Sequence, residues 1–449
     1  MIRYVRRFAV CALLTVAGGV RADAQAASPV RLTLGDAARA AVEHSAVADI
    51  ARAGIDEARA RVRQARSALL PNVSGSVLQS GRSFNTATLG IDFPSAPGTP
   101  PFFNPNGQVI SGVNATDFRG RVAQTVYDQS ARARVRASES GVTAATAEAT
   151  SAGEQAAAVA GAAYVRAQRA DAHLKSRIAD STLSAELLGI ARDLLEAGVG
   201  IALDVTRAQS QLAGFRAQLI GARNDRARSR LELARAVGLP LDTPIELADS
   251  LAAPADSIPN EQVAVDAALR QRADVRAAEQ QLAALRQQVN AIRAERLPTV
   301  GLFADEGVIG KTPSHLLPTY DYGIQLSVPI FDGSRRAGRV EEQAAAARQV
   351  EIHERDLRAQ IAVEVRGALL DLSSAREQVD AARERVRLSE QEVSQARDRF
   401  SAGVSGNADV ISASLSLSGA RTSLVEAEAA YQAARVALAR AEGTITSLK

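Results

Sequence analysis

The chain has 449 residues, with 53 basic against 50 acidic side chains, 46% hydrophobic and 4% aromatic residues, no tryptophan and one cysteine. A single thiol excludes a disulfide framework, and the near-balance of charge gives no ground for a nucleic-acid partner. Few aromatics and abundant alanine argue against one compact core and for long helices packed through small side chains.

In chain order, Arg3, Arg6 and Arg7 precede an apolar run from Phe8 to Val20, and small residues follow at Ala24-Gln25-Ala26. This is the layout of a signal peptide, 1–26, whose apolar run is too short to cross a bilayer. Its removal takes away Cys11 and leaves 49 basic and 49 acidic residues, so the basic excess belongs to the leader. A first structural repeat is expected over 27–240. It comprises a helical stretch over 32–70 with a capping box at Thr33 and Asp36, a strand pair 71–127 opening at Pro71, and a long helix 130–197. A tip turn 197–204 and a helix 202–238 complete it. After a linker 241–260, placed at the equator, a second repeat over 261–449 carries the same order. Its helix 261–297 precedes a strand pair 298–332, a long helix 335–401, a tip turn 402–409 and a helix 407–443.

The duplication is written in matched segments. "EAGVGIALDV" and "SAGVSGNADV" stand 205 residues apart, and "SRLELARAVG" and "ARVALARAEG" share that offset, whereas the prolines at 71 and 298 are 227 apart. The first copy therefore holds extra residues in a Pro/Gly/Asn-rich loop between its strands. Apolar residues at alternating spacings of three and four mark a coiled-coil seam. They run from Val410 through Leu417, Leu424, Tyr431 and Leu438 to Ala441, and from Ile361 through Val365, Leu372 and Val379 to Phe400. The first copy keeps this register from Val205 to Ala236. A helix of 68 residues spans about 100 Å at 1.5 Å per residue.

The strands carry the membrane signal. In "YDYGIQLSVPIFD", Tyr320, Tyr322, Ile324, Leu326, Val328 and Ile330 alternate with polar or small residues, and Phe118, Val122 and Val126 alternate with Arg119, Arg121 and Thr125. Pattern alone equally allows soluble hairpins with one buried face, which would make the chain a periplasmic or secreted coiled-coil scaffold without a pore. The export signal and the lack of another core for the strands to cover favour a barrel. Four strands cannot close one, since the smallest have about eight, and open edges in lipid leave backbone groups unsatisfied. Three chains supply about twelve strands. The four histidines have no metal-ligand spacing and no Gly-rich phosphate loop follows a strand, so neither an enzyme nor a cofactor is expected.

With "LP" opening a strand, "VYD" and "SVPIFDG" closing one, and the twin Gly-Val…Asp-Val turns, the chain resembles the outer-membrane efflux protein family, the TolC-like exit ducts of Gram-negative bacteria. The resemblance implies a mainly α fold with a small β part: a homotrimer in which long antiparallel helical hairpins form a periplasmic α-barrel below a twelve-stranded β-barrel in outer-membrane lipid. It implies a passive duct for drugs, metal ions or protein, joined to a periplasmic adaptor and an inner-membrane transporter of RND or ABC type. It also implies that Gly198, Val199, Leu203, Gly403, Val404 and Ala408 dock the adaptor, and that Asp204, Asp409 and Phe400 stand at the periplasmic gate. Phe400 replaces the family's tyrosine, and Ser405 stands where an arginine would lock the closed state.

Overall fold

A computed structural model defines residues 29–89, 98, 107–252 and 259–448. The expected signal peptide and part of the linker lie outside these described residues. The chain opens with strand β1 (Val30–Leu32) and helices α1 (Leu34–His44) and α2 (Ala46–Ser67). Strands β2 (Asn72–Asn85) and β3 (Val109–Tyr127) lead into α3 (Gln129–Glu196), one helix of 68 residues. A sharp turn, α4 (Ala202–Val237) and strand β4 (Ile245–Leu247) follow. The order then recurs as α5 (Glu261–Gln271), α6 (Ala273–Ala294), β5 (Thr299–Thr312), β6 (His315–Ser327), the 67-residue α7 (Arg335–Ser401) and α8 (Asn407–Glu442).

The helices form one layer. Toward the tips its order is α4, α3, α8, α7; toward the sheet it is α2, α3, α6, α7. Each long helix therefore changes partners along its length, α3 from α4 and α8 toward the tips to α2 and α6 toward the sheet, and α7 from α8 to α6. The apolar period is what pairs them. Of the ten α8 seam residues all are buried except Leu424, which is partly so, and none of the ten on α4 is exposed. Along α3 the buried positions are mostly alanine and glycine, so neighbours approach closely: a Cβ on Gly161 would lie 3.1 Å from Val436.

Two expected helices are each broken by one extended residue. The stretch 32–70 divides at Ser45 and the stretch 261–297 at Arg272. Ser45 (φ −72°, ψ 147°) ends α1 and caps α2, its Oγ accepting from the Ala48 amide at 3.2 Å. Arg272 makes no such cap; its guanidinium is fastened to Asp274 and Glu364, both at 2.6 Å. Each break abuts a glycine that ends a return helix. A Cβ on Gly238 would lie 2.2 Å from the His44 carbonyl oxygen, and one on Gly443 would lie 3.2 Å from the Arg272 Cα. The kinks are set by these long-range contacts, not by a local breaker.

The four long strands form an antiparallel sheet in the order β2-β3-β5-β6. Residues opposite each other share a face. One face gathers Val73, Val77, Phe118, Val122, Leu302, Tyr322, Ile324 and Leu326, all exposed. The other carries Ser74, Ser76, Arg119, Arg121, Asp305, Thr319 and Asp321. The expected alternation through Val328 and Ile330 is corrected: β6 ends at Ser327. Pro329 has no N–H to donate to a ladder, and Ile330 and Phe331 stand free beyond the strand, 93% and 86% exposed.

A girdle unforeseen in the sequence crosses the middle of the layer. β1 and β4 pair in parallel, Val30 to Ile245 and Leu32 to Leu247, over a core that includes Leu34, Ala38, Tyr164, Leu233, Val237 and Ile445. The fully buried Tyr164 donates to the Leu32 carbonyl at 2.9 Å and lies 3.1 Å from Asp249, which in turn accepts from the Leu34 amide at 2.7 Å. Burial pushes the Tyr164 phenol well above its ordinary range, so it remains a donor at physiological pH. Gln168 and Gln432 hold the backbone of the same strap, at Asp249 and Ala252. Tyr164→Phe leaves these buried partners short of a donor. It is expected to cost about 1–3 kcal/mol, read as a lower midpoint in chemical unfolding.

Candidate functional site at the helical tips

The two turns have one backbone geometry. At the end of α3 the Gly198 amide donates to Leu195 O at 3.1 Å and the Val199 amide to Leu194 O at 3.1 Å. At the end of α7 the Gly403 amide donates to Phe400 O at 3.0 Å and the Val404 amide to Arg399 O at 2.9 Å. These paired bonds are Schellman motifs, which satisfy the last helical carbonyls and need a left-handed residue. Gly198 (φ 78°) and Gly403 (φ 71°) supply it. Nothing lies within 4 Å of where either Cβ would be, so backbone conformation alone demands glycine there.

Each motif throws apolar side chains outward. Val199, Ile201, Leu203 and Val404 are between 50% and 71% exposed, and Gly198, Gly403 and Ala408 are exposed as well. The six residues expected to dock a partner therefore share the free end of the molecule. The three expected at a gate divide. Asp409 is exposed in the first turn of α8, where the helix dipole favours a carboxylate. Asp204 is half-buried, 3.9 Å from Arg207. Phe400 is 3% exposed, packed with Leu187, Leu188, Ala191, Ala208, Leu212 and Val410 between the two hairpins. It occupies the last turn of the coiled-coil seam.

The tips are tied side by side. Asn407, fully buried, donates through Nδ2 to the Asp204 carbonyl at 2.8 Å, while its Oδ1 and the buried Ser405 Oγ have no partner among the described residues.

Above the tips lies a feature that sequence reasoning missed, the seam between α3 of one hairpin and α8 of the other. Asp180, 2% exposed, accepts from Ser418 at 2.7 Å and pairs with Arg177 at 3.1 Å and Arg421 at 3.2 Å. Arg177 also donates to Ser418 and Thr422, at 2.8 and 2.6 Å. Farther up, His173 lies 2.7 Å and Arg169 3.4 Å from Glu426. The signal was present as a second stripe at spacing four: Ser176, Asp180 and Ser184 on α3, facing Ser414 and Ser418 on α8, all buried. Among the described residues no group of three acidic, histidine or cysteine side chains could hold a metal.

Comparison with known proteins fits this geometry. The family model described as "Outer membrane efflux protein" matches residues 39–239 and again 264–444. The probable efflux pump outer membrane protein TtgC of Pseudomonas putida is 27% identical over 250 residues, 54% of this chain and 50% of TtgC. The chain thus spans about half the length of that relative. Among solved structures, the outer-membrane channel OprN superposes with a TM-score of 0.72 at 20% identity, over 91% of this chain and 89% of OprN. The outer membrane protein VceC of Vibrio cholerae gives 0.71 at 21%, over 91% and 96%. At such identities the structures establish the fold, and the family model, matched over both halves, establishes descent: the chain belongs to the outer membrane efflux protein family.

Proposed function

We propose that three copies of this chain assemble into an exit duct. Each would contribute four strands to a twelve-stranded barrel in the outer membrane and two helical hairpins to an α-barrel beneath it. The carrying observation is the sheet: among the described residues β2 and β6 each have a strand on one side only, and the apolar face is bare, with Tyr320, Tyr322 and Ile324 at 74–77% exposure. A barrel in hydrocarbon satisfies both conditions at once, since closure pairs the edges and lipid covers the face. The helical layer fits the same ring. Its outer members, α7 on one side and α2 with α4 on the other, carry exposed apolar residues, among them Val363 and Leu370 on α7 and Ile50 and Ile220 opposite.

In this reading the chain is an internal duplicate, 27–240 and 261–449 about the linker 241–260. The helices reach about 100 Å into the periplasm, and the tips meet a periplasmic adaptor that joins the duct to an inner-membrane transporter. The duct itself is passive. The exposed Val199, Leu203 and Val404 would seat the adaptor's helices, and the glycines beside them let backbones approach closely. Asp409, threefold in the ring, would place carboxylates at the narrow end, a device that favours cations. The α3–α8 seam would hold the hairpins together at rest.

Cross-linking of the protein in outer-membrane fractions is expected to trap a trimer, and the purified protein is expected to conduct in planar bilayers. A soluble monomer without conductance would instead support the scaffold reading. Val404→Glu combined with Val199→Glu changes only exposed side chains. Export should fall at least about tenfold while the trimer still forms, and undiminished export would remove the docking role. Asp180→Ala leaves Arg177 and Arg421 without their buried carboxylate, a loss of about 3–5 kcal/mol at this seam. Resting conductance is expected to rise, with Asp180→Asn moving it in the same direction; a channel as quiet as wild type would show that the seam is no latch.

A further inference from the structure

Charge is distributed unevenly where the helices meet the sheet. The ten residues next to each long strand, 62–71, 128–137, 289–298 and 328–337, hold nine arginines and three carboxylates. The next ten along each helix hold five basic and six acidic residues. The strand ends on the other side, 72–76, 122–127, 299–304 and 322–327, carry no charged residue. The excess is therefore a narrow band directly below the strands. Its carboxylates are already matched, Asp128 and Glu295 to Arg134 and Asp332 to Arg336, and Arg66 pairs with Glu139 just below. Arg63, Arg132, Arg136, Arg293, Arg296 and Arg335 form no ion pair among the described residues.

Four of these six stand on one face of the helical layer. The opposite face is a groove whose lining includes Arg61 and Ala65 of α2, Arg134 of α3, and Ala291 and Glu295 of α6. Arg63, Arg132, Arg136 and Arg293 are each two positions from one of these groove residues, and two positions turn a helix by about 200°. All four are exposed. Tyr127 ties their face to the sheet. A bulge after Thr125 sets Tyr127 opposite Val300, which in turn faces Leu326 on the apolar side. The guanidinium carbon of Arg132 lies 5.8 Å from the centre of the Tyr127 ring. The arginine face of the helices and the apolar face of the sheet are thus continuous, and the exposed Leu70, Leu297, Ile330 and Phe331 lie at the boundary between them.

We infer that this arginine face is a docking surface for anionic glycerophospholipids, holding their headgroups in the leaflet on the helix side of the membrane. The inference rests on the trimeric barrel proposed above, whose lipid-facing wall is the same apolar face; three chains would repeat the four guanidiniums as a collar around it. Apolar strand ends above the band suit acyl chains, and a ring at the boundary suits the interface, where aromatic belts of membrane proteins lie. The band itself stands at the depth of the phosphates. A guanidinium presents a planar fork of donors that matches a phosphate, and these four have no carboxylate in the chain to compete for them. Each basic side chain beside an anionic membrane surface raises affinity about fivefold.

The test is native mass spectrometry of the purified full-length protein in detergent, titrated with phosphatidylglycerol or with phosphatidylcholine of the same chain length. The wild-type trimer is expected to hold phosphatidylglycerol at least about fivefold more tightly. Arg63→Gln, Arg132→Gln, Arg136→Gln and Arg293→Gln combined should remove that preference, and lysine at the same four positions should keep most of it. Glutamine in place of the exposed Arg192, Arg216, Arg223 and Arg385, farther down α3, α4 and α7, should leave it intact. Arg136→Gln with Arg293→Gln is the milder variant and is expected to lower the preference in part. A wild-type trimer that holds both lipids equally, or neutralised trimers that keep the preference, would overturn the collar while leaving the duct intact. A chain that stays monomeric would overturn the duct, and the collar with it.

Discussion

Both edges of the sheet are open, and the rest of the architecture answers to that constraint. Backbone N–H and C=O groups along the outer sides of β2 and β6 have no partner strand among the described residues, and in hydrocarbon each unsatisfied group costs several kcal/mol. No rearrangement within the chain removes the problem, because four strands cannot curl into a closed barrel. The helices below extend the sheet, with α3 following β3 after a single residue. Whatever closes the strands also sets how neighbouring helical layers meet. The proposed ring therefore needs one symmetry for both parts, and the bare apolar residues on α7 and α4 stand on the two borders that this symmetry would bring together.

Within the layer the seams differ in chemistry. Inside each hairpin the contact is mainly apolar and follows the heptad over ten positions or more, with Asp171 of α3 pairing Arg226 and Arg230 of α4 in the first, so burial accumulates at about 25 cal/mol per Å² along its length. Between the hairpins, α3 meets α8 through Asp180, Arg177, Ser418 and Thr422 and through small apolar clusters that alternate with them, around Phe400 at the tip, at Ala172 with Val425 and Ala429, and at Gly161 beside Val436. Hydrogen bonds of this kind contribute about 0.5–1.5 kcal/mol each once water is counted as the competitor, and water can replace them if the helices part. An apolar seam offers no such replacement. Each hairpin is thus the unit that stays whole, and the line between hairpins is where the layer opens at least cost.

Much of this was legible in the sequence because its signals were periodic or stereochemical. The second long helix was expected at 335–401 and runs Arg335–Ser401; the heptad seam and the left-handed glycines followed from spacing and from the turn's geometry. Four features were not legible, each for a physical reason. The breaks at Ser45 and Arg272 involve neither proline nor glycine and are fixed by contact with distant helix ends. The β1–β4 ladder is three residues long, too short for a period to show. The polar stripe at Ser176, Asp180 and Ser184 lies beside a stronger apolar one. Phe400 carried two readings, seam and gate, which spacing alone could not separate; at 3% exposure it lies within the seam of the single chain.

The matched positions of the two halves hide an inequality that bears on the tips. Gly198 and Gly403 share one conformation 205 residues apart, but their surroundings differ. Asn407 donates across to the Asp204 carbonyl; the corresponding residue of the first half, Ala202, has no side chain with which to return the bond. Asp204 is consequently enclosed and Asp409 open. The hairpins differ at the other end as well, since β3 residues Val109–Ala115 pair with β2 alone and project past the β5–β6 turn. In a ring, each hairpin of one kind would stand between one neighbour from its own chain and one from the next. Two halves with identical surfaces could not tell these neighbours apart, whereas a bond made in one direction only can. In the proposed ring, the asymmetry between Asn407 and Ala202 would tie the first tip to its own chain's α8 and leave the second without a returned bond.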